Sequence, residues 1–117
     1  MKGPMINLPF LDGRVEDVVT HYLAAVDFTE QLSGNWSEAA KGMALFDCTA
    51  FCRLARWHLH GLTPEQIGHD FWLTRNGHGT GFWDRGLDDQ GDALTTLCKI
   101  FGEQDAYEGD DGLIYLE

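Results

Sequence analysis

Residues 35–61, NWSEAAKGMALFDCTAFCRLARWHLHG, decide the fold. Asn35-Trp36-Ser37-Glu38 resembles a capping box with Asn in the place of Ser. Behind it, Trp36, Ala39, Met43, Phe46, Ala50, Leu54 and Trp57 recur at helical spacing and form one seam. Leu45, Cys48, Cys52, Ala55 and Leu59 form a second. A helix that is apolar on two sides belongs at the centre of its domain. Thr49, Arg53, Arg56 and His60 fill the polar strip that remains, and Gly61 supplies the stop. The pattern predicts some 25 residues of helix, roughly 37 Å at 1.5 Å per residue, with Gly42 as the place for a break.

Upstream, Val15, Val18, Val19, Tyr22 and Val26 make one apolar stripe. They predict a helix that starts after Asp12, an N-cap residue, and ends near Leu32. Downstream, Thr63-Pro64-Glu65-Gln66 combines an N-cap, Pro at N1 and Gln at N3. That helix runs to Arg75–Asn76 with Ile67, Phe71 and Trp72 inward. A fourth starts at Asp88-Asp89, points Ala93, Leu94, Leu97, Cys98 and Phe101 inward, and stops at Gly102. Ala106-Tyr107-Glu108 and Leu113-Ile114-Tyr115-Leu116 flank Gly109-Asp110-Asp111-Gly112 as a short hairpin with an Asp-Gly turn. A lone hairpin is marginal in water, so it must pack on the helices or pair with the extended N-terminal segment, residues 1–13. The expected architecture is a single domain over 1–117. It is α+β and mainly helical, with four helices around a long central one and a C-terminal β-hairpin.

A chain of 117 residues buries roughly two-thirds of its unfolded surface, enough for a core without disulfides. Apolar residues are 44%, which excludes a disordered chain. Eight Lys plus Arg face 19 Asp plus Glu, a net charge of -11. That argues against duplex DNA as a partner, because such affinity comes from cations that displace counterions. Pro4 and Pro9 break the N-terminal apolar stretch, so it does not read as a signal peptide. No apolar run is long enough for a membrane span. Cys48, Cys52 and Cys98 are odd in number and read as buried thiols of a reducing, cytoplasmic compartment. His58 and His60 point apart on a helix, and with His21, His69 and His78 they match no zinc spacing. Neither metal nor cofactor is expected.

Residues 69–86, HDFWLTRNGHGTGFWDRG, are the densest in chemistry. They hold two of four Trp, two of five His and four glycines. The segment is not a dinucleotide fingerprint or a phosphate loop, since a helix precedes it and no Gly-Lys-Ser/Thr follows. Ser33 and Ser37 are the only serines and form no nucleophile elbow. One reading makes His69, Trp72, Arg75, Asn76, His78, Trp83, Asp84 and Arg85 a ligand site. It would stack a nucleotide or single-stranded DNA, or pair His69 or His78 with Asp84 for acid–base work. In the other, Trp72, Phe82 and Trp83 plug the core and order the loop, while Arg75 and Arg85 pair with Asp70 and Asp84.

Asp88, Asp89, Asp92, Glu103, Asp105, Glu108, Asp110 and Asp111 lie within 24 residues that contain one cation, Lys99. Asp88, Asp89, Asp92, Asp105, Glu108, Asp110 and Asp111 are the candidate binding face for a protein with a basic surface, with imitation of DNA as the sharpest form. A solvated face whose carboxylates only confer solubility explains the same composition.

The run from Asp70 to Gly86, continued through Gly91-Asp92-Ala93-Leu94 and the Gly-Asp-Asp-Gly tail, resembles a motif of small uncharacterised proteins of bacteriophages and other mobile elements. The resemblance covers about half of the chain. It implies a phage accessory protein that acts in the host cytoplasm, and no catalytic residue carries over from it; with the acidic face, the expected partner is a host or defence protein.

Overall fold

Ser37 rather than Asn35 caps the decisive helix in the computed structural model, which describes residues 14–79 and 81–117. The four helices are α1 (Arg14–Glu30), α2 (Glu38–Leu54), α3 (Pro64–Arg75) and α4 (Asp89–Phe101). Strands β1 (Ala106–Glu108) and β2 (Ile114–Leu116) close the chain. The fold is α+β and mainly helical, as the periodicity predicts, with 63% of the described residues in helices. The expected cap at Asp12 and the extended segment 1–13 lie outside the described residues.

The expected bounds of α2 need correction at both ends. The Ser37 hydroxyl accepts from the Ala40 amide at 3.0 Å, so the helix opens two residues after Asn35. At the other end the chain tightens into a 3₁₀ turn over Arg56–His58. This turns Leu59 and Leu62 into the core and leaves Trp57 outside. The helix is continuous across Gly42 but stops at Leu54 with Ala55 as its C-cap, so the expected stop at Gly61 comes too late; Gly61, at φ +78°, lies in the turn beyond the 3₁₀ segment.

A larger correction concerns what α2 buries. One of its two seams supplies the core: Cys48, Cys52, Ala55 and Leu59 are buried, with Ala40, Ala44 and Phe51 beside them, although Leu45 of that seam is exposed and Trp36 of the other packs against the core. The other seam faces outward, with Phe46 74% and Trp57 65% exposed. The central place belongs to α3, in which eight of 12 residues are buried. Gly68 makes this possible. A Cβ there would run into the Val18 carbonyl and lie 2.8 Å from the Tyr22 amide nitrogen, so only glycine lets the α1 backbone close on α3. Around that crossing Phe51 stacks on Phe71 at 4.3 Å between ring centroids, and Trp72 meets Tyr22 edge-on at 5.6 Å.

The hairpin is antiparallel, with Tyr107 opposite Tyr115. Its Gly109–Gly112 turn closes by a 3.0 Å backbone hydrogen bond, and Gly112 supplies the left-handed position at φ +81°. It also pairs with the segment ahead of α2: the Ser37 amide donates to the Ile114 carbonyl at 2.9 Å, and the Ile114 amide to the Asn35 carbonyl at 2.8 Å. Ile114 and Leu116 are buried there, which supplies the packing that an isolated hairpin lacks.

Candidate functional site

The fold divides the aromatic, glycine-rich segment into an inner and an outer set. Trp72 is 1% exposed and donates its indole N–H to Thr29 Oγ1 at 2.8 Å. Arg75 is buried where α1, α2, α3 and the end of α4 meet. Its Nη1 donates to Asp47 Oδ2 at 2.8 Å and to the Tyr22 hydroxyl at 3.0 Å. Its Nε and Nη2 donate to the carbonyls of Gly102 and Phe101 at 2.8 and 3.0 Å. Burial works against the guanidinium charge, but Tyr22 and Asp47 outweigh it and leave the Arg75 pKa raised. Asn76 ties its amide to the Trp72 carbonyl and accepts from the Gln104 amide. These three candidate residues therefore brace the structure, and neither Trp72 nor Arg75 presents a face to a ligand.

The outer set is His69, His78, Trp83, Asp84 and Arg85. Phe82 is fully buried, and its amide donates to Thr74 Oγ1 at 3.0 Å, which fixes the loop on α3. Trp83, expected to plug the core with it, is 44% exposed. His78 lies 4.0 Å from Glu30. Of the expected pairing of Arg75 and Arg85 with Asp70 and Asp84, Asp70 goes to Arg85 while Arg75 takes Asp47, and His69 meets Asp70 in place of Asp84. Asp70 is completely buried and takes both: Arg85 donates from Nε and Nη2 at 2.9 and 2.7 Å, and His69 Nδ1 lies 3.1 Å from Oδ1. The hydrogen bond to Asp70 raises the pKa of Arg85. A bidentate pair on a buried carboxylate fixes guanidinium orientation.

Arg85 and His69 both line an open cleft of about 430 Å³ between α1 and α3. His21 and Phe28 face it from α1, and Glu65 and Gln66 from the first turn of α3. Sequence reading missed His21 and Phe28 because they join the segment only through the crossing at Gly68. The cleft combines two imidazoles, a held guanidinium and an aromatic ring that is 81% exposed. Asp70 balances the charge of Arg85, and Glu65 adds a carboxylate at the rim.

All seven candidate carboxylates of the acidic face are exposed. Asp88, Asp89 and Asp92 sit at the start of α4, while Asp105, Glu108, Asp110 and Asp111 follow its end. The 13 residues of α4 put roughly 20 Å between the two groups. Tyr115 donates to Asp111 Oδ2 at 2.5 Å, which lowers the pKa of that carboxyl.

The three cysteines are free and buried, and desolvation raises each thiol pKa, that of Cys52 to about 12. Among the described residues no three His, Cys, Asp or Glu side chains converge as a metal set. No described helix is long and apolar enough to cross a membrane. Comparison with protein-family models, curated proteins and solved structures gives no match.

Proposed function

We propose that the chain is a phage-type accessory protein that works in the host cytoplasm by binding a protein with a basic surface. Its carboxylate-rich C-terminal third is the contact. One observation carries this reading. Among the described residues, none of the carboxylates in 88–111 forms an ion pair with Lys or Arg, whereas Arg75, Arg85 and Lys41 are paired with Asp47, Asp70 and Glu38. The negative potential of the region is thus left without a compensating ion pair among the described residues. Such a field attracts a basic partner and accelerates its encounter, and it repels nucleic acid. DNA mimicry is the finer form of the proposal and needs the two carboxylate groups to act together.

The test uses a partner captured from host lysate and measures association rates. Raising the salt should slow association about tenfold or more, because steering is screened beyond a Debye length. Reversing Asp88, Asp89 and Asp92 to Lys should weaken binding, as should reversing Asp105, Glu108 and Asp110, while His69→Ala retains it. Indifference to both charge reversals and to salt sinks the proposal, and sensitivity to one group alone sinks mimicry.

The cleft favours a second reading: a small ligand with an aromatic ring and an anionic end, such as a nucleotide. Phe28 would stack the ring, and the Arg85 and His69 donors would meet the anion. Titration with AMP, followed by NMR, should shift the signals of His21, His69 and Arg85 and leave those of Asp88–Asp92 in place. Unmoved imidazole signals at millimolar nucleotide exclude this reading.

A further inference from the structure

Among the described residues, the outward seam of α2 has no partner. Ala39, Met43, Phe46, Ala50, Leu54 and Trp57 follow heptad-like spacing along one side of the helix and its 3₁₀ extension. Met43 is 38%, Leu54 45%, Trp57 65% and Phe46 74% exposed. Gly42 lies in the same stripe, and a Cβ there would meet nothing within 4 Å. A glycine inside a helix weakens it, and no neighbour among the described residues requires this one. Close approach of a second helix supplies the missing reason.

We propose that this seam is the interface of a two-fold homodimer in which α2 packs antiparallel on α2 of a second copy. The seam is self-complementary in that direction. An axis beside residue 48 sets Phe46 against the partner copy's Ala50, Trp57 against its Ala39, and Met43 against its Leu54. Each large aromatic side chain thus meets a small one, as knobs meet holes. The charges agree. Glu38 opens α2 and Arg56 lies just beyond its end, so antiparallel pairing brings each Glu38 level with the partner copy's Arg56, and Gly42 makes room for its Arg53 stem. The area is sufficient. The exposed aromatic and aliphatic side chains offer roughly 500 Å² per copy, so pairing buries about 1,000 Å² or more, the lower bound for a specific interface. Self-complementarity of one patch is the mark of a two-fold contact and singles out a second copy over an unrelated chain.

Sedimentation equilibrium of the full chain from about 1 μM to about 1 mM tests this. The expected mass is twice 13.1 kDa, with a Kd below roughly 100 μM that tightens as salt screens the like net charges. Phe46→Glu and Trp57→Glu change exposed residues, so circular dichroism should be unchanged while the Kd rises at least about 100-fold. A spin label at Lys41, in a mixture of labelled and unlabelled chains, should broaden signals of residues 53–57 in the unlabelled copy. A monomer at the highest concentration overturns the proposal. So does a dimer that tolerates both substitutions, or broadening near residue 41 instead of 53–57. A monomer in which Trp57 is shielded from acrylamide overturns it in favour of cover by the chain's own N-terminal residues.

Discussion

Arg75→Ala is expected to destabilise the protein by roughly 3–5 kcal/mol, the cost of removing one partner from a buried ion pair. The magnitude follows from what remains. Asp47 Oδ2 loses its cation, the Tyr22 hydroxyl loses a donor, and the carbonyls of Phe101 and Gly102 lose theirs. Tyr22, whose pKa burial raises, still donates to Gln104 at 2.6 Å, so the damage concentrates on Asp47 and on the end of α4. The guanidinium also covers the rings of Phe71 and Phe101, at 5.3 and 5.9 Å from their centroids. Denaturant unfolding measures the loss. Pairing Arg75→Met with Asp47→Leu should recover much of it, because an apolar pair leaves no unmatched charge. If the double variant is no better than Arg75→Ala, the carbonyl contacts of Arg75 dominate and Asp47 is incidental. Equal stability of Arg75→Ala and the parent chain refutes the bracing role.

The same residue marks the limit of what the sequence makes legible. Helix identity and capping at Thr63 are local, and the chain spells them out. The inward set of α4 is equally local, since a stripe on a short helix has one neighbour to meet. The partners of Arg75 lie at positions 22, 47, 101, 102 and 104, and no spacing rule connects them. The two seams of α2 fail for a related reason. Periodicity states that a face is apolar and does not state what covers it, so an outward seam and a core seam look alike. The centrality of α3 hides behind Gly68, a residue that composition reads as a weakness in a helix and that packing requires. In the candidate site the sequence offers Asp70 and Asp84 to Arg75 and Arg85, but only the fold assigns Asp70, on the preceding helix, to Arg85 and sends Arg75 to Asp47. The two carboxylate groups, by contrast, were fully legible as exposed, because charged residues without partners stay in water.

Trp72 and Trp83 provide the sharpest contrast, because residue type and glycine-rich context are shared and burial is not. Trp72→Ala should cost roughly 3–5 kcal/mol, the range for emptying a large aromatic from a core. It removes the edge contact with Tyr22 and leaves the Thr29 hydroxyl without its indole donor. For a domain of this size each kcal/mol lowers Tm by about 4 °C or more, so a fall of about 15 °C is expected. Trp83→Ala removes a ring that is 44% exposed, and its cost should stay within about 1 kcal/mol. Calorimetry of the two variants side by side checks both values. The loop should survive the second change, since the buried Phe82 ring and its amide bond to Thr74 hold it to α3. A Tm loss for Trp83→Ala as large as that for Trp72→Ala would mean that Trp83 is packed in solution. The anchoring of residues 81–86 would then rest on both rings, and the cleft beside Arg85 would depend on Trp83 for its shape.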